Sequence, residues 1–376
     1  MNVTARVIRD EGEWDAIRPG WDALYAASPH ASTPLDFAWL RHWWRVYGPA
    51  YGSGGLRIVT AWRGARLLAA LPLYERRGDR NGFGVRFLRF LSTGEAEYEE
   101  VCPDYLNVLC LGGEEQACID AIWTHIDRLA WDQLELLDLP EGSPLRQSGA
   151  LPSLTRTFPR GACPLADLTG GFDTYLGRLS SNSRQQARRL LREGERAGAA
   201  FETVAVDHAA GAFDDLVRLH QARWTGEGKP GVFAAPRFTA FHREIIREWL
   251  PAGRVVLARL AVAGEPVAVI YGFVTGTTFE FYQSGVRHDE AGSLRSPGTL
   301  AHLLLMQALA ERGIHIYDFL RGASSYKQRL ATRERHLVGM RIWRPTLRSA
   351  AHQSLRLAAR VARPGLLSRF SRAVAR

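Results

Sequence analysis

Five consecutive residues in the C-terminal half, Arg295-Ser296-Pro297-Gly298-Thr299, have the composition of a loop that can bind phosphate. They follow a polar segment and lead into a stretch in which apolar residues recur at helical spacing, so they stand at the start of a predicted helix. Backbone N–H groups and the dipole at a helix N-terminus attract anions. The sequence therefore offers a place for the phosphates of a ligand just ahead of this helix.

One predicted strand precedes this loop, and a predicted helix and a second strand follow it. Residues 278–286 alternate in polarity, with Phe279, Phe281 and Gln283 on one face of a predicted strand. The helix covers 299–312 and ends at Gly313, and a second strand covers 314–319. Asp318 lies near the C-terminal end of that second strand. A carboxylate there can act in catalysis or accept backbone hydrogen bonds from the next turn.

A similar order of elements occurs twice. Residues 121–139 and 303–321 both read as an apolar helix, a short break and a strand that ends in Leu-Asp-Leu or Tyr-Asp-Phe. A duplication of this size predicts two copies of one domain. We place the N-terminal domain at 1–160, without a clear phosphate loop, the C-terminal domain at 161–345, and a basic tail at 346–376.

The tail carries much of the net charge of +9, because residues 346–376 contain seven arginines and no acid. Apolar residues recur within it at helical spacing. It either docks on the protein with its arginines in water or lies on an anionic membrane surface. A DNA-binding core is not expected, since the rest of the chain is nearly neutral.

The loop Arg295–Gly298 resembles the Arg/Gln-x-x-Gly-x-Gly/Ala loop by which GNAT-type N-acyltransferases hold the pyrophosphate of acetyl-CoA. Leu300 stands where those enzymes have a small residue. Tyr317-Asp318-Phe319, Arg321-Gly322 and Tyr326-Lys327 resemble the CelD-type (BioF2-like) acetyltransferases of cellulose biosynthesis, which are related to the Fem-type aminoacyltransferases. The similarity extends to the segments 178–196 and 223–231, and more weakly to the N-terminal half.

This resemblance implies an α/β (α+β) fold of two tandem GNAT-like domains, each a mixed, mostly antiparallel sheet flanked by helices. It implies an acyl-CoA co-substrate, most simply acetyl-CoA, and no metal. The residues expected to hold the cofactor are Gln283, Ser284, Arg295, Ser296, Pro297, Gly298 and Thr299.

Acyl transfer to an amine requires a base for the amine, donors for the oxyanion and an acid for the thiolate. Glu280 and Asp318 are the candidate bases, although Asp318 serves equally well as a structural anchor. Tyr282 and Tyr326 are candidate acids, although tyrosines at half-buried strand positions are more often core residues. Lys327, in the Tyr-Lys pair, is expected to bind a carboxylate or phosphate; otherwise it is a surface residue.

The acceptor would be a small-molecule amine or a sugar amine. By resemblance, the segment with Trp224 and Lys229 forms a mobile lid over it, and Tyr282 and Arg321 contribute to its site. Arg184 and Arg188 fall on one helix face, which either binds anions or is simply solvated. His302 has no partner at ligand or triad spacing and is expected to be structural.

The function predicted is that of an acyl-CoA N-acyltransferase, and the resemblance implies a link to exopolysaccharide or cell-envelope synthesis. The alternatives are a Fem-type transferase that uses aminoacyl-tRNA and a non-catalytic accessory protein of polysaccharide synthesis. No apolar run reaches the roughly 18 residues that suggest a membrane-spanning helix. We therefore expect a cytoplasmic protein with, at most, peripheral contact to an anionic membrane through the tail.

Overall fold

The computed structural model describes residues 2–78, 84–147, 154–287, 294–322 and 324–350, together with Ser354. The basic tail lies outside the described residues from 351 onward, apart from Ser354. None of the described helices is long and apolar enough to cross a lipid bilayer.

The strands and helices follow one another along the whole described chain. The strands are β1 (Thr4–Ile8), β2 (Gly55–Leu56), β3 (Ile58–Arg63), β4 (Arg66–Leu71), β5 (Leu73–Gly78), β6 (Val85–Phe90), β7 (Leu109–Cys110), β8 (Gln133–Pro140), β9 (Thr155–Asp167), β10 (Ala200–Thr203), β11 (Val255–Val262), β12 (Glu265–Thr275), β13 (Thr278–Val286), β14 (Ile316–Asp318) and β15 (Arg333–Trp343). The helices are α1 (Glu11–Ala16), α2 (Arg18–Ala27), α3 (Phe37–Tyr51), α4 (Glu115–Arg128), α5 (Phe172–Arg178), α6 (Ser181–Arg196), α7 (Ala209–Gly226), α8 (Pro236–Trp249), α9 (Pro297–Glu311) and α10 (Ser325–Leu330).

The chain divides into two compact units. Of the described residues, the first comprises those up to Gly161 together with those from His336 to Ala350, and the second comprises those within Ala162–Arg335. The sequence assigned residues 336–345 to the C-terminal domain instead. The difference arises because β15 pairs with β8 of the first unit, from Leu337↔Pro140 to Trp343↔Gln133, and a change in composition does not reveal which strand a later strand will join.

The first unit contains a four-stranded sheet in the order β1-β3-β4-β7 and a second sheet ordered β15-β8-β6-β5-β2. Its pairs are antiparallel except β6 with β8, which α4 connects. Its core consists largely of the strands and of α4, with Ile119, Ile122 and Trp123 buried. This is the mixed, mostly antiparallel architecture that the sequence predicted.

The second unit has the strand order β10-β11-β12-β13-β14-β9. Among the described strands of this unit, only β13 and β14 pair in parallel, and α9 connects them. The arrangement β13–α9–β14 therefore matches β6–α4–β8 of the first unit in strand direction, as the internal repeat predicted.

The helices of the second unit cover both faces of its sheet. On β13, Phe281 contacts His302 of α9, whereas the next residue, Tyr282, contacts His242 of α8. Successive side chains of a strand point to opposite faces, so α9 and α8 lie on opposite faces. Gly285 permits the close approach of α7, because a Cβ there would lie 2.5 Å from the Leu216 carbonyl oxygen.

Candidate functional site

The parallel pairing of β13 with β14 is short. It consists of Thr278↔Ile316, Phe279↔Tyr317 and Glu280↔Asp318. The strand β14 ends at Asp318, whereas β13 continues to Val286. The two strands therefore separate directly after the Glu280–Asp318 pair, and both of these carboxylates are buried.

Asp318 has a structural contact of its own. Its Oδ1 accepts a hydrogen bond from the N–H of Leu320 at 2.7 Å. Leu320 has a φ of +54°, a left-handed conformation that is rare for a residue other than glycine. The contact required by the anchoring role of Asp318 is thus present, in the turn that follows β14.

A bulge in β13 lies just beyond the strand separation. Tyr271 of β12 faces Gln283 and Gly272 faces Phe281, so Tyr282 is the extra residue. A β-bulge re-aims side chains and is common beside active sites. Tyr282, Gln283 and Ser284 are all partly exposed, and Gln283 and Ser284 are among the residues expected to hold the cofactor.

The predicted phosphate loop forms the start of α9. Pro297 occupies the first turn, and the N-cap residue Ser296 makes no side-chain capping hydrogen bond. The N–H of Arg295 donates to Glu193 Oε1 of α6 at 2.7 Å. Gly298 lies against the end of β13, since a Cβ there would be 3.0 Å from Val286 Cγ2. Partly exposed first-turn residues such as Thr299 therefore stand at the helix N-terminus, as an anion site needs.

An open surface pocket borders this helix start. Thr299 of α9 and Tyr326 of α10 line it together with Ser183 and Gln186 of α6; its other lining residues are Ala187, Leu190, Arg329 and Leu330. The pocket thus brings together the predicted loop, one predicted acid and the predicted arginine-rich helix. The α6 residues in its lining are Ser183, Gln186, Ala187 and Leu190, and none of the α6 arginines is among them.

The arginines of α6 point elsewhere. Arg184 is half-buried, and its guanidinium donates to the Gly177 carbonyl at 3.3 Å. Arg188, Arg189 and Arg192 are exposed and form no ion pair within the described part of the chain. Ser180 caps this helix, since its hydroxyl oxygen accepts a hydrogen bond from the Ser183 N–H.

His302 is a residue whose partners the sequence did not reveal. It is buried in α9, with Nδ1 at 2.6 Å from the Tyr317 hydroxyl and its ring stacked on Tyr326 at 5.3 Å. Burial lowers the pKa of His302 to about 3, and the Lys327 charge acts in the same direction. The imidazole is therefore neutral at ordinary pH. The partners lie in other elements, so no local spacing could have indicated them.

Tyr326 keeps its proton at neutral pH. Burial raises its pKa to about 12, although a Ser324 hydrogen bond and the Arg223 charge act in the opposite direction. A protonated tyrosine in the pocket lining is a suitable proton donor.

Lys327 is half-buried and contacts backbone. Its ammonium donates to the carbonyl oxygens of Phe319 at 2.7 Å and Arg321 at 3.3 Å. It also lies 5.5 Å from the Phe281 ring centroid. Lys327 thus joins α10 to the turn after β14. This contact differs from both predictions for Lys327, which were binding of a ligand and a position at the surface.

The segment expected to form a lid is held by several contacts. The Trp224 indole donates to His220 Nε2 at 2.9 Å, and Gln221 donates to the Pro230 carbonyl at 2.6 Å. Lys229 lies 5.1 Å from the Trp224 ring centroid. Burial lowers the pKa of His220 to about 4, so it is neutral and accepts the indole N–H. Trp224 is half-buried and Lys229 is exposed.

Comparison with known proteins agrees with this architecture. Residues 181–328 match the sequence model of the family described as "Acetyltransferase (GNAT) domain". This stretch includes the strand separation, the start of α9 and most of the residues that line the pocket. The match covers much of the second unit, while the narrower CelD-type assignment remains a prediction. No curated protein matches the sequence.

Solved structures share the fold over most of the chain. FemX is similar with a TM-score of 0.56 at 9% identity, covering 85% of this chain and 95% of that one. L-PGS from Bacillus licheniformis has a TM-score of 0.53 at 12% identity, covering 93% and 97%. The C-terminal domain (DUF2156) assigned to a lysylphosphatidylglycerol synthetase from Agrobacterium fabrum has a TM-score of 0.53 at 13% identity, covering 92% and 97%. At these identities the likeness concerns the fold.

Proposed function

We propose that the chain is an N-acyltransferase that transfers an acyl group from acyl-CoA to an amine. The observation that carries this proposal is the strand separation after Glu280–Asp318 next to the start of α9, within a stretch that matches the GNAT family. Acyl-CoA would supply the activated thioester carbonyl. The first turn of α9 would hold its phosphates, with Thr299, Ser183 and Gln186 lining the adjoining pocket.

Residues of this chain would carry out the proton transfers and stabilise the oxyanion. Glu280 is our choice for the base that takes a proton from the amine, because Asp318 Oδ1 is engaged by the Leu320 N–H. Tyr326 would give a proton to the leaving thiolate, since its raised pKa keeps it protonated. Backbone N–H groups of β13 near Gln283 and Ser284 would stabilise the oxyanion.

The experiment is acetyl-CoA binding by calorimetry, with Thr299→Glu and Thr299→Gln as matched variants. A carboxylate in the first helical turn favours the helix but repels phosphate. Thr299→Glu should therefore weaken binding by at least about tenfold, or ~1.4 kcal/mol, at an undiminished melting temperature. Thr299→Gln should change the affinity for acetyl-CoA by less than about threefold. Undiminished binding by Thr299→Glu would remove the helix start from the donor site.

Turnover is measured as release of CoA thiol with a panel of amines. The CelD-type resemblance favours a sugar amine as acceptor, in exopolysaccharide or cell-envelope synthesis. Acetyl-CoA binding without turnover of any amine would favour the alternative of a non-catalytic accessory protein.

A second candidate donor is aminoacyl-tRNA. It is favoured by the fold likeness to FemX and by the exposed arginines Arg188, Arg189 and Arg192 on α6, which have no ion-pair partner among the described residues. Such a donor would bind with strong salt dependence, since it rests on phosphate contacts. Aminoacyl-tRNA binding that Arg188→Glu weakens, with no acetyl-CoA binding, would replace the first proposal.

A further inference from the structure

The pocket beside the start of α9 has one aromatic residue in its lining, Tyr326 of α10. The ring of the buried His302 lies against the Tyr326 ring, with centroids 5.3 Å apart and planes inclined by 22°. His302 itself is not among the residues that line this pocket. The contact with Tyr326 is therefore a route by which His302 can influence a ligand bound there.

The helix that carries Tyr326 is short, since α10 has six residues. A helix of this length is marginal in water by itself, so tertiary contacts must fix its orientation. Lys327 binds the carbonyl oxygens of the turn after β14, and the Leu330 carbonyl accepts a hydrogen bond from the Tyr175 hydroxyl at 2.8 Å. These contacts fix the helix, and the His302 ring fixes the direction of the Tyr326 side chain.

The His302 ring is itself held on its other sides. Its Nδ1 lies 2.6 Å from the Tyr317 hydroxyl. The Phe281 ring meets it edge-on, with centroids 4.6 Å apart and planes at 90°, and the Phe319 ring centroid lies 5.6 Å away. A hydrogen bond in the ring plane and close packing around the ring restrict its rotation. His302 therefore presents a flat surface of fixed orientation to Tyr326.

The hydroxyl proton of Tyr326 is not used by its neighbour Ser324. Burial is the main influence on Tyr326 and raises its pKa, whereas Ser324 lowers that pKa, which is the effect of a donor to the phenol oxygen. Within the described part of the chain, no residue accepts a hydrogen bond from the Tyr326 hydroxyl. The proton is therefore free for transfer to a group in the pocket that Tyr326 lines.

We propose that His302 is a positioning residue that holds Tyr326 in the orientation from which it donates a proton to the leaving thiolate. In that step the bond between the acyl carbon and sulfur breaks, its electron pair stays on sulfur, and the Tyr326 proton moves to that sulfur. Water then returns a proton to the phenolate, and the base releases to water the proton that it took from the amine. The inference rests on the proposed function for the leaving group, but not for the effect of His302 on Tyr326.

The experiment is a double-mutant cycle of the full chain with His302→Leu and Tyr326→Phe, assayed with acetyl-CoA and the panel of amines. Leucine fills the core but offers no flat ring. His302→Leu should lower kcat by at least about tenfold, with KM for acetyl-CoA changed by less than about threefold. In the Tyr326→Phe background the same change should lower kcat by less than about twofold, because the hydroxyl that His302 positions is absent.

Two further variants separate positioning from core packing. His302→Phe/Tyr317→Phe keeps a flat ring against Tyr326 and removes the hydroxyl that would lose its partner, so kcat should stay within about threefold of the wild type. Leu309→Ala removes buried volume two turns further along α9 and should lower the melting temperature without the loss in kcat. If His302→Leu does not fold, His302→Met takes its place, since methionine fills core space adaptably.

Equal losses of kcat in both backgrounds would show that His302 does not act through Tyr326, and wild-type kcat in His302→Leu would show that it is dispensable. Either result overturns the proposal.

Crystal structures of the variants distinguish failure of this inference from failure of the proposed function. The Tyr326 ring should be reoriented in His302→Leu and unchanged in His302→Phe/Tyr317→Phe. If the wild-type chain turns over no amine, the proposed function fails, and these structures still decide whether His302 fixes Tyr326. An unmoved Tyr326 ring in His302→Leu would overturn the inference whether or not the wild type is active.

Discussion

Lys327 shows how a single residue can be constrained by shape as well as by charge. It is one of two lysines among 48 lysines and arginines in the chain. Its compact ammonium reaches the carbonyl oxygens of both Phe319 and Arg321. A planar guanidinium on a longer stem has a different donor geometry, so arginine is not an equivalent replacement. The position requires a compact cation beside the pocket.

Lys327→Ala should lower kcat/KM for acyl transfer by at least about tenfold, which corresponds to ~1.4 kcal/mol of transition-state stabilisation. Loss of the ammonium leaves two carbonyls without their donor and loosens the turn after β14. Lys327→Arg should recover the rate only in part, and Lys327→Met controls for packing of the stem. Full activity of Lys327→Ala would make the contact dispensable.

His302 should make stability depend on pH. Its folded pKa is about 3 against an ordinary 6.5, so the folded chain binds fewer protons than the unfolded chain between these values. The stabilisation is complete above pH 6.5 and is lost as pH falls toward 3. For each such histidine the unfolding free energy drops by up to about 1.4 kcal/mol per pH unit.

The measurement is urea unfolding between about pH 7.5 and 4.5. The double variant His302→Phe/Tyr317→Phe, which also removes the hydroxyl partner, should show a shallower dependence than the wild type. His220, with a pKa of about 4, should supply part of the remaining slope. An identical slope in the double variant would contradict the assignment to His302.

At the scale of elements, the packing of α6 on α9 explains the leucine that follows the predicted phosphate loop. Leu300 is buried, where the resemblance had led us to expect a small residue. It meets Gly194 of α6, at which a Cβ would lie 2.7 Å from Leu300 Cδ2. The small residue is therefore on the facing helix, and the two helices still pack closely.

Gly194→Ala should change the free energy of unfolding in a direction that depends on the residue at position 300. In the wild-type background the added methyl overpacks the contact, at a typical cost of about 1–3 kcal/mol. In the Leu300→Ala background the clash is gone, and only the higher helix propensity of alanine remains, worth up to about 1 kcal/mol. Urea unfolding of the four variants measures both effects. Equal effects in the two backgrounds would show that the residues are not coupled.

At the scale of the whole molecule, the chain returns to its first unit after completing the second. The strand β15 pairs with β8, and the Arg344 guanidinium donates to the Leu129 carbonyl at 2.7 Å. The Thr346 hydroxyl donates to Asp132 Oδ1 at 2.9 Å. The first unit is therefore built from both ends of the sequence.

Truncation should separate the structural part of the C-terminus from the tail. A chain that ends at residue 335 lacks β15 and leaves β8 unpaired along that edge, so the first unit should lose its cooperative unfolding. A chain that ends at residue 350 keeps these contacts and should melt within a few degrees of the full chain. Tryptophan fluorescence during heating measures the unfolding of both truncated chains. Normal melting of the shorter chain would exclude a structural role for β15.

The sequence alone determined the elements of the GNAT-like region and its class of fold. The alternation over 278–286 and the periodicity over 299–312 are local, because a strand repeats every two residues and a helix every 3.6. The structure has β13 at Thr278–Val286 and α9 at Pro297–Glu311. The phosphate-loop residues were likewise visible, since they are consecutive and precede a helix.

The tertiary structure alone decided which side chains meet. Glu280 faces Asp318 through strand register, His302 meets Tyr317 and Tyr326, and His242 joins Tyr271 to Tyr282. It also decided that β15 belongs to the first unit. These contacts join elements far apart in the chain, and they depend on how sheets and helices pack rather than on spacing along the sequence. No local sequence pattern indicates these contacts, because they form only when the chain is folded.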